Sequence, residues 1–486
     1  MSTVARAKVV APSAPSLRAT SWTPWAILGA DVVALECALG LGVGVRKLLA
    51  PWFSAEVGIE QYFAVAVGIL LLPLVHYQLG IYPGYLLGPV ERLRRRTLAT
   101  LAVFGGLVAW DNIVARGVLS RGVLLATFVF ALVLPPLAES FARKALVARK
   151  RWGIPVVMLG AGPTGRLVAS TLRGAPELGL VPIAFLDNRP DAWDRTVEGV
   201  PVAGPLALAR DFETRAEAAI VSLSDLGAEL GREDAGGLLQ DLNFPRVIVI
   251  PRFTGVASLW VTARDLGGCL GLEIKKNLLM RRNLMLKRTM DRVIATPLFL
   301  MSIPVMAMAA LWIKLASRGP AFHCQMREGA DGRRIAVWKL RTMRVDGERV
   351  LESWFAEHPE DRVEWSRYFK LRNDPRVLPW IGRLLRRTSL DELPQLWSVL
   401  KGEMSLVGPR PFPDYHLEQF PVEFRALRTR VLPGLTGMWQ VSARSDGDVE
   451  VQEALDTYYI RNWSPWLDLY ILARTVAAVI IARGAY

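Results

Sequence analysis

The stretch Arg386-Arg387-Thr388-Ser389-Leu390-Asp391-Glu392-Leu393-Pro394-Gln395 places two adjacent carboxylates just after a pair of arginines. Lys339 and Arg341 stand upstream, Arg410 and Arg444 downstream, and Pro409 and Pro411 fix the backbone on either side of Arg410. A carboxylate can attack phosphorus only where cations cancel the charge of the phosphate oxygens. Arginine suits that task because its planar fork matches two oxygens at once. The cluster therefore reads as phosphoryl chemistry, with Asp391 and Glu392 as the catalytic carboxylates and Lys339, Arg341, Arg386, Arg410 and Arg444 as phosphate-binding groups. Two acids among such forks also suit a diphosphate substrate with Mg2+, which commonly bridges phosphates to one or two carboxylates; Asp391 and Glu392 are the candidate metal ligands. A bland reading stands beside this one. Ser389-Leu390-Asp391-Glu392 has the spacing of a capping box, in which acids in a first helical turn stabilise the helix dipole. Neighbouring helical positions also diverge by about 100°, so the two acids need not face one ligand.

Composition sets the surroundings of this cluster. The chain has 486 residues, 52% hydrophobic and 21% charged, with a formal net charge of +14. That balance fits membrane segments joined to cytosolic domains. Nucleic acid is another partner for a basic chain, but here Lys and Arg flank apolar runs and would face anionic lipid, so no nucleic-acid partner is expected. Three scattered cysteines without a CxxC pair signal neither a disulfide framework nor a zinc site, and four histidines without ligand spacing argue against a histidine-metal enzyme.

The elements that must position the cluster begin with a small, polar, basic N-terminus over residues 1–21, expected to be disordered and lacking the features of a cleavable signal. Apolar runs at 24–46, 62–82, 97–116 and 121–140 each approach the ~20 residues that a helix needs to cross a bilayer. Basic groups at Arg6, Lys8 and Arg18, at Arg92 and Arg94–Arg96, and at Arg143–Arg151 all go to the cytosol if the spans number four. Asp31, Glu36 and Asp111 interrupt these runs, and interhelical packing is preferred for them over a transport pathway. After Trp152 the pattern becomes strand-helix-strand: Ile154–Leu159, Pro182–Leu186, Ala219–Ser222 and Arg246–Ile250 read as strands of a Rossmann-like, doubly wound α/β domain. Its first turn, Gly160-Ala161-Gly162-Pro163-Thr164-Gly165, could bring Gly160, Gly162 and Gly165 against a nucleotide phosphate, with Asp187 placed for a ribose. A ligand-free scaffold uses the same glycines and is preferred. Gly267–Gly271 closes the domain, and a basic linker (Lys275, Lys276, Arg281, Arg282) follows.

Residues 289–316 resemble a fifth membrane helix, yet Pro304 sits mid-run and basic residues (Lys287, Arg288 and Arg292; Lys314 and Arg318) flank both ends. A kinked, re-entrant helix with both ends cytosolic fits better than a span, and Ser302 is a candidate partner for a carbonyl freed at the break. Residues 463–482, opening on Trp463 and Trp466, suit either a helix lying on the membrane or packing in the catalytic core.

From Leu278 onward the chain resembles the bacterial sugar transferases that load a phosphosugar onto polyprenyl phosphate. The resemblance rests on Lys287-Arg288-Thr289-Met290-Asp291, on Gln325, Arg327, Gly329 and Gly332, and on Trp338-Lys339-Leu340-Arg341-Thr342-Met343. It continues through Asp391-Glu392-Leu393-Pro394-Gln395, Gly408-Pro409-Arg410-Pro411 and Pro433–Val441. Two departures stand out: Ile303 rather than serine precedes Pro304, and Leu432 occupies a position where the family often has arginine. The four runs and the α/β domain look like the family's long form. The resemblance implies a UDP-sugar donor, undecaprenyl phosphate as acceptor, Mg2+, and galactose-1-phosphate or, alternatively, glucose-1-phosphate as the transferred group. It also implies a ping-pong course through an aspartyl-phosphosugar at Asp391, with Glu392 assisting at the metal or with protons and Arg386, Arg410 and Arg444 holding phosphates. A membrane-anchored nucleotide-sugar oxidoreductase or dehydratase is the competing enzyme class, but the Tyr-x-x-x-Lys pair it needs is absent. A non-catalytic scaffold leaves the charged cluster without a purpose.

The expected organisation is a disordered 1–21, a four-span helical bundle over 22–142, a Rossmann-like α/β domain over 143–270, and a mainly α (α+β) catalytic domain over 271–486 carrying the re-entrant helix 287–316. The expected home is the bacterial inner membrane, with membrane lipid as a partner and a homodimer as the assembly.

Overall fold

The computed structural model describes residues 22–52, 59–114, 119–226, 242–251, 261–265, 270–274, 277–359, 361–362, 371, 374–442 and 449–481. The N-terminal 1–21 and Arg444 therefore lie outside the described residues. The chain forms two compact units, 1–255 and 256–486.

In the first unit, helices α1 (Thr23–Leu48) and α5 (Arg121–Ala148) pack along one another beside α2 (Ile59–Ile69), α3 (Leu71–Gln78) and α4 (Pro89–Ile113). Four spans were expected here. Among the described residues, only α1 and α5 of this unit are long and apolar enough to cross a bilayer. The 62–82 run is broken at Leu70, and Pro73 lies in the first turn of the new helix, where a missing N–H costs nothing. The 97–116 run begins earlier, at Pro89, which suits a first helical position; the helix thereby takes in Arg92 and Arg94–Arg96. Of the acids expected inside the apolar runs, Asp31 and Asp111 are tied internally, as is Glu139. Asp31 accepts from Arg96 Nη1 (2.7 Å) and Tyr82 Oη (2.5 Å), and Glu139 accepts from Arg96 Nε (2.7 Å) and from Arg143. Asp111 accepts the Leu119 backbone N–H at 2.8 Å.

The α/β part of this unit is a six-stranded sheet in the order β3-β4-β2-β1-β5-β6. Its central strand β1 (Ile154–Leu159) is buried throughout and pairs in parallel with β2 (Leu180–Leu186) and β5 (Ala218–Ser222). β6 (Val247–Ile250) extends one edge; β4 (Val200–Gly204) and the short antiparallel β3 (Thr196–Val197) form the other. Helix α6 (Pro163–Gly174) leaves the glycine turn after β1. The four strands expected from sequence are all present as short apolar runs; β1 and β5 are buried throughout, as central parallel strands are, whereas the edge strand β6 is only half-buried.

The second unit opens with an antiparallel hairpin, β7 (Val261–Asp265) and β8 (Leu270–Ile274). Leu270–Gly271 is thus a strand of this unit rather than the close of the α/β domain. The helix Arg281–Ala316 follows and continues through both Pro297 and Pro304, so the helix is not interrupted where a break was expected. Ser302 Oγ donates to the Phe299 carbonyl at 2.7 Å, one turn back along the helix. One stripe of this helix, from Lys287 and Asp291 to Ala309 and Ile313, is buried along its length, and its outer face is exposed Leu, Met, Ile and Trp. Ala309 and Ile313 pack with Ala321, Leu340, Leu378, Ile381 and Leu385 to form the core beneath the charged cluster. The C-terminal helix Pro465–Ile481 packs into this unit through Leu467 and Ile471, with Trp463 buried just before it, as in the core-packing alternative.

Candidate active site

Three pieces of chain converge. The first is the antiparallel hairpin of β9 (Phe322–Glu328) and β10 (Arg334–Leu340), in which Lys339 pairs with His323. Strand alternation puts Ile335, Val337 and Lys339 on one face; the two apolar residues are buried and carry the lysine toward the site. The second is the turn after the helix Ile381–Thr388. Ser389 adopts the left-handed conformation (φ 57°, ψ 19°), and its N–H donates to the Arg386 carbonyl, which ends the helix. Its side chain makes no capping bond to the next helix, so the capping box does not form. Asp391 and Glu392 instead lie in a single 3-10 turn, Leu390–Glu392, ahead of the helix Gln395–Lys401.

The third piece is the loop after β11 (Ser405–Val407). β11 pairs in parallel with β12 (Gly434–Thr436), so closely that a Cβ on Gly434 would meet the Gly408 nitrogen at 2.1 Å. Glycine is obligatory there, and the close approach fixes where Pro409-Arg410-Pro411 leaves the strand.

The groups meet at Glu392. Its Oε1 accepts from Lys339 Nζ at 2.6 Å and from Arg410 Nη2 at 2.8 Å. Burial opposes its ionisation, but Arg410 and Lys339 outweigh burial and hold the carboxyl well below the usual carboxylate range. Asp391 behaves oppositely. Burial pushes it up to about 6; Glu392 adds to the rise, while Lys339, Arg386 and Arg410 pull it down. No hydrogen bond ties either oxygen of Asp391 among the described residues. Arg386 is anchored through Nε to Thr342 Oγ1 at 3.0 Å and feels both Asp391 and the Asp374–Arg376 pair. One carboxylate is thus neutralised and locked, and its neighbour is untethered, within reach of three cations. That arrangement suits an oxygen nucleophile facing a phosphate.

Not every residue expected at the site belongs there. Arg341 is buried and turned away: Nη1 donates to the Arg318 carbonyl (2.8 Å) and Nη2 to the Ser317 carbonyl (2.9 Å), closing the end of the helix Arg281–Ala316. One residue past the end of β10, it does not share the setting of Lys339. Sequence reasoning missed Asp374, Arg376 and Arg428, whose spacing carries no signal. Arg327, quoted only as part of a motif, donates through Nη1 to the Pro411 carbonyl at 2.7 Å.

The glycine turn of the α/β sheet closes on itself. Gly160 has φ +100°, and a Cβ on Gly165 would meet the Gly160 carbonyl oxygen at 2.1 Å. The α6 N–H groups of Thr164 (3.2 Å) and Gly165 (2.6 Å) donate to the carboxylate of Asp225. Asp187 accepts from the Ala161 N–H at 2.8 Å and pairs with Arg189. The N–H groups that could receive a phosphate, and the acid that could receive a ribose, are engaged by the chain's own Asp225 and Arg189.

Residues 282–482 match the family model described as bacterial sugar transferase, and residues 78–222 match one described as CoA-binding domain. The chain is 34% identical over 401 residues to an undecaprenyl-phosphate galactose phosphotransferase of Salmonella typhimurium, covering 80% of this chain and 81% of that one. It belongs to the polyprenyl-phosphate hexose-1-phosphate transferase family. The protein is accordingly a transferase. A UDP-galactose-lipid carrier transferase of Erwinia amylovora is 30% identical, with 81% of this chain and 82% of that one covered. A UDP-glucose:undecaprenyl-phosphate glucose-1-phosphate transferase of Escherichia coli is 42% identical over 211 residues, 42% of each chain. The first family model spans the whole charged cluster, and the second runs from α3 through β5.

Proposed function

We propose that this transferase moves hexose-1-phosphate, galactose-1-phosphate first, from a UDP-sugar to undecaprenyl phosphate, with Asp391 as nucleophile. The observation that carries the reading is the untethered Asp391 carboxylate beside a Glu392 already neutralised by Lys339 and Arg410. An Asp391 oxygen attacks the sugar-linked phosphorus, the bond from that phosphorus to the bridging oxygen breaks, and UMP departs. A phosphate oxygen of undecaprenyl phosphate then attacks the same phosphorus, releasing the carboxylate and forming undecaprenyl-diphosphate-sugar. Arg386 and Arg410 face the donor phosphates. Arg444 belongs with them on the motif alone.

The residues suit Mg2+ in a limited way. No group of three His, Cys, Asp or Glu side chains gathers among the described residues, so there is no all-protein cage. Asp391 and the second oxygen of Glu392 remain as one or two carboxylate ligands, which is the usual protein share when phosphates supply the rest. Bound there, Mg2+ would screen the diphosphate charge.

Galactose is favoured over glucose because two relatives named for galactose match across about four-fifths of the chain, whereas relatives named for glucose match 41–42% of it. We place the protein in the bacterial inner membrane, multi-pass, with its α/β and catalytic domains cytosolic, at the first membrane step of O-antigen, capsule or exopolysaccharide synthesis. A homodimer remains the proposed assembly. Support for a re-entrant helix comes from its packing. Lys287, near one end, bonds Asp468 (2.7 Å), and Ile313, near the other, sits in the core of the same catalytic unit. A helix held to one body at both ends, with an apolar outer face, suits one leaflet better than a crossing.

The test is UMP formation by the purified full-length protein given undecaprenyl phosphate, Mg2+ and, in turn, UDP-galactose and UDP-glucose, followed by mass spectrometry after donor alone. A galactosyl-phosphate adduct on Asp391 and preference for UDP-galactose are expected. Glycolipid formation without any adduct would refute the nucleophile; preference for UDP-glucose would refute the sugar.

A further inference from the structure

Arg410 reaches Glu392 only if its own backbone is held. The prolines on either side remove a backbone donor, so the loop cannot build a ladder of its own. Its carbonyls are instead gripped from outside. Gly434 N–H donates to Pro409 O (2.9 Å), Arg327 Nη1 to Pro411 O (2.7 Å), and Arg428 Nη2 to the carbonyl of Arg410 itself. Arg428, from the helix Val422–Arg428, is buried. Its guanidinium pairs with Asp456 Oδ2 at 3.2 Å and lies 4.8, 5.3 and 5.6 Å from the rings of Phe412, Phe420 and Phe424.

A buried ion pair is a poor way to stabilise a core, since apolar residues of similar volume often do as well. What an apolar residue cannot do is hold a carbonyl. We propose that Arg428, seated by Asp456 and three phenylalanines, is a positioning residue that aims Arg410 at Glu392. The inference rests on the reading of Arg410 as a clamp for donor phosphate. Arg428 touches no reacting atom; it acts on the peptide plane next to the Arg410 Cα, and a small rotation there is enough to swing the guanidinium away from Glu392.

The experiment is a double-mutant cycle on the full-length enzyme in detergent, with kcat and KM for UDP-galactose and UDP-glucose measured for Arg428→Gln, Arg410→Ala and the pair. Arg428→Gln is expected to lower kcat/KM by about tenfold to a hundredfold, the scale of a slight misplacement in an active site. In the Arg410→Ala background it should cost nothing further, because its target is already gone. Arg428→Lys, which keeps a donor, should recover part of the loss. Asp456→Asn forms a second arm that keeps Arg428 and loosens its seat; a smaller loss that again vanishes without Arg410 is expected. Losses that multiply in the double variants, or full activity in both Arg428→Gln and Asp456→Asn, overturn the proposal. Full activity in Arg410→Ala alone overturns the clamp reading, and this inference with it.

Discussion

Replacing Asp391 by asparagine separates what the site costs the fold from what it does. Asp391 is 9% exposed, and burial raises its carboxyl from 3.8 to about 6. A group whose pKa is raised on folding gives its full stabilisation below the unfolded value, here 3.8, and loses it as pH climbs through the folded value, here about 6. At about 1.4 kcal/mol for each tenfold change in acidity, ionising Asp391 costs the folded state up to about 3 kcal/mol at pH 8. Asparagine has the same shape and carries no charge, so that penalty disappears. Asp391→Asn should therefore melt higher than the parent at pH 8, by up to several degrees, with the gap closing toward pH 4. UMP release should be lost at every pH. In the parent enzyme, kcat/KM should fall as pH drops through about 6 and the nucleophile takes up a proton. Thermal denaturation of both proteins across that range, alongside UMP release, provides the check. A variant no more stable than its parent at pH 8, or equally stabilised at pH 4, would refute the electrostatic argument.

Arg341→Met should cost about 1–3 kcal/mol of stability by leaving two helix-end carbonyls without their donor, yet hold KM for UDP-sugar within about twofold; a large rise in KM would return Arg341 to the phosphate site. Gly165→Ala should destabilise the α/β sheet by about 1–3 kcal/mol, because its Cβ has no room beside the Gly160 carbonyl, while turnover per folded molecule persists. Lost turnover without lost stability would point to a bound nucleotide. With the native cysteines replaced, Leu286→Cys and Ser317→Cys should both react with an impermeant thiol reagent from the cytosolic side alone; periplasmic labelling at 317 would rule out the re-entrant helix.

Much of the architecture could be read from the chain because it depends on local pattern. Ile154–Leu159 and Ala219–Ser222 are short apolar runs bounded by turn residues, and they became buried parallel strands. The charged cluster was legible for the same reason: Asp391, Glu392 and Arg410 lie in short motifs whose composition suits phosphate. Apolar length alone was a weaker guide. It did not anticipate the break at Leu70 within 62–82, nor the earlier start of α4 at Pro89, where helix signals outweighed hydropathy.

By itself the sequence determined which kinds of group gather after residue 320, the apolar helices and the α/β sheet, since each follows from periodicity or from adjacent residues. Only the tertiary structure decided how those groups divide their work. It fastened Lys339 and Arg410 to Glu392, left Asp391 untethered, and sent Arg341 to a helix end. It also placed Asp225 on the glycine turn and Arg428 behind Arg410. Such pairings join residues far apart in the chain, and charge, burial and hydrogen-bond geometry exist there only once the backbone has brought them within a few ångströms.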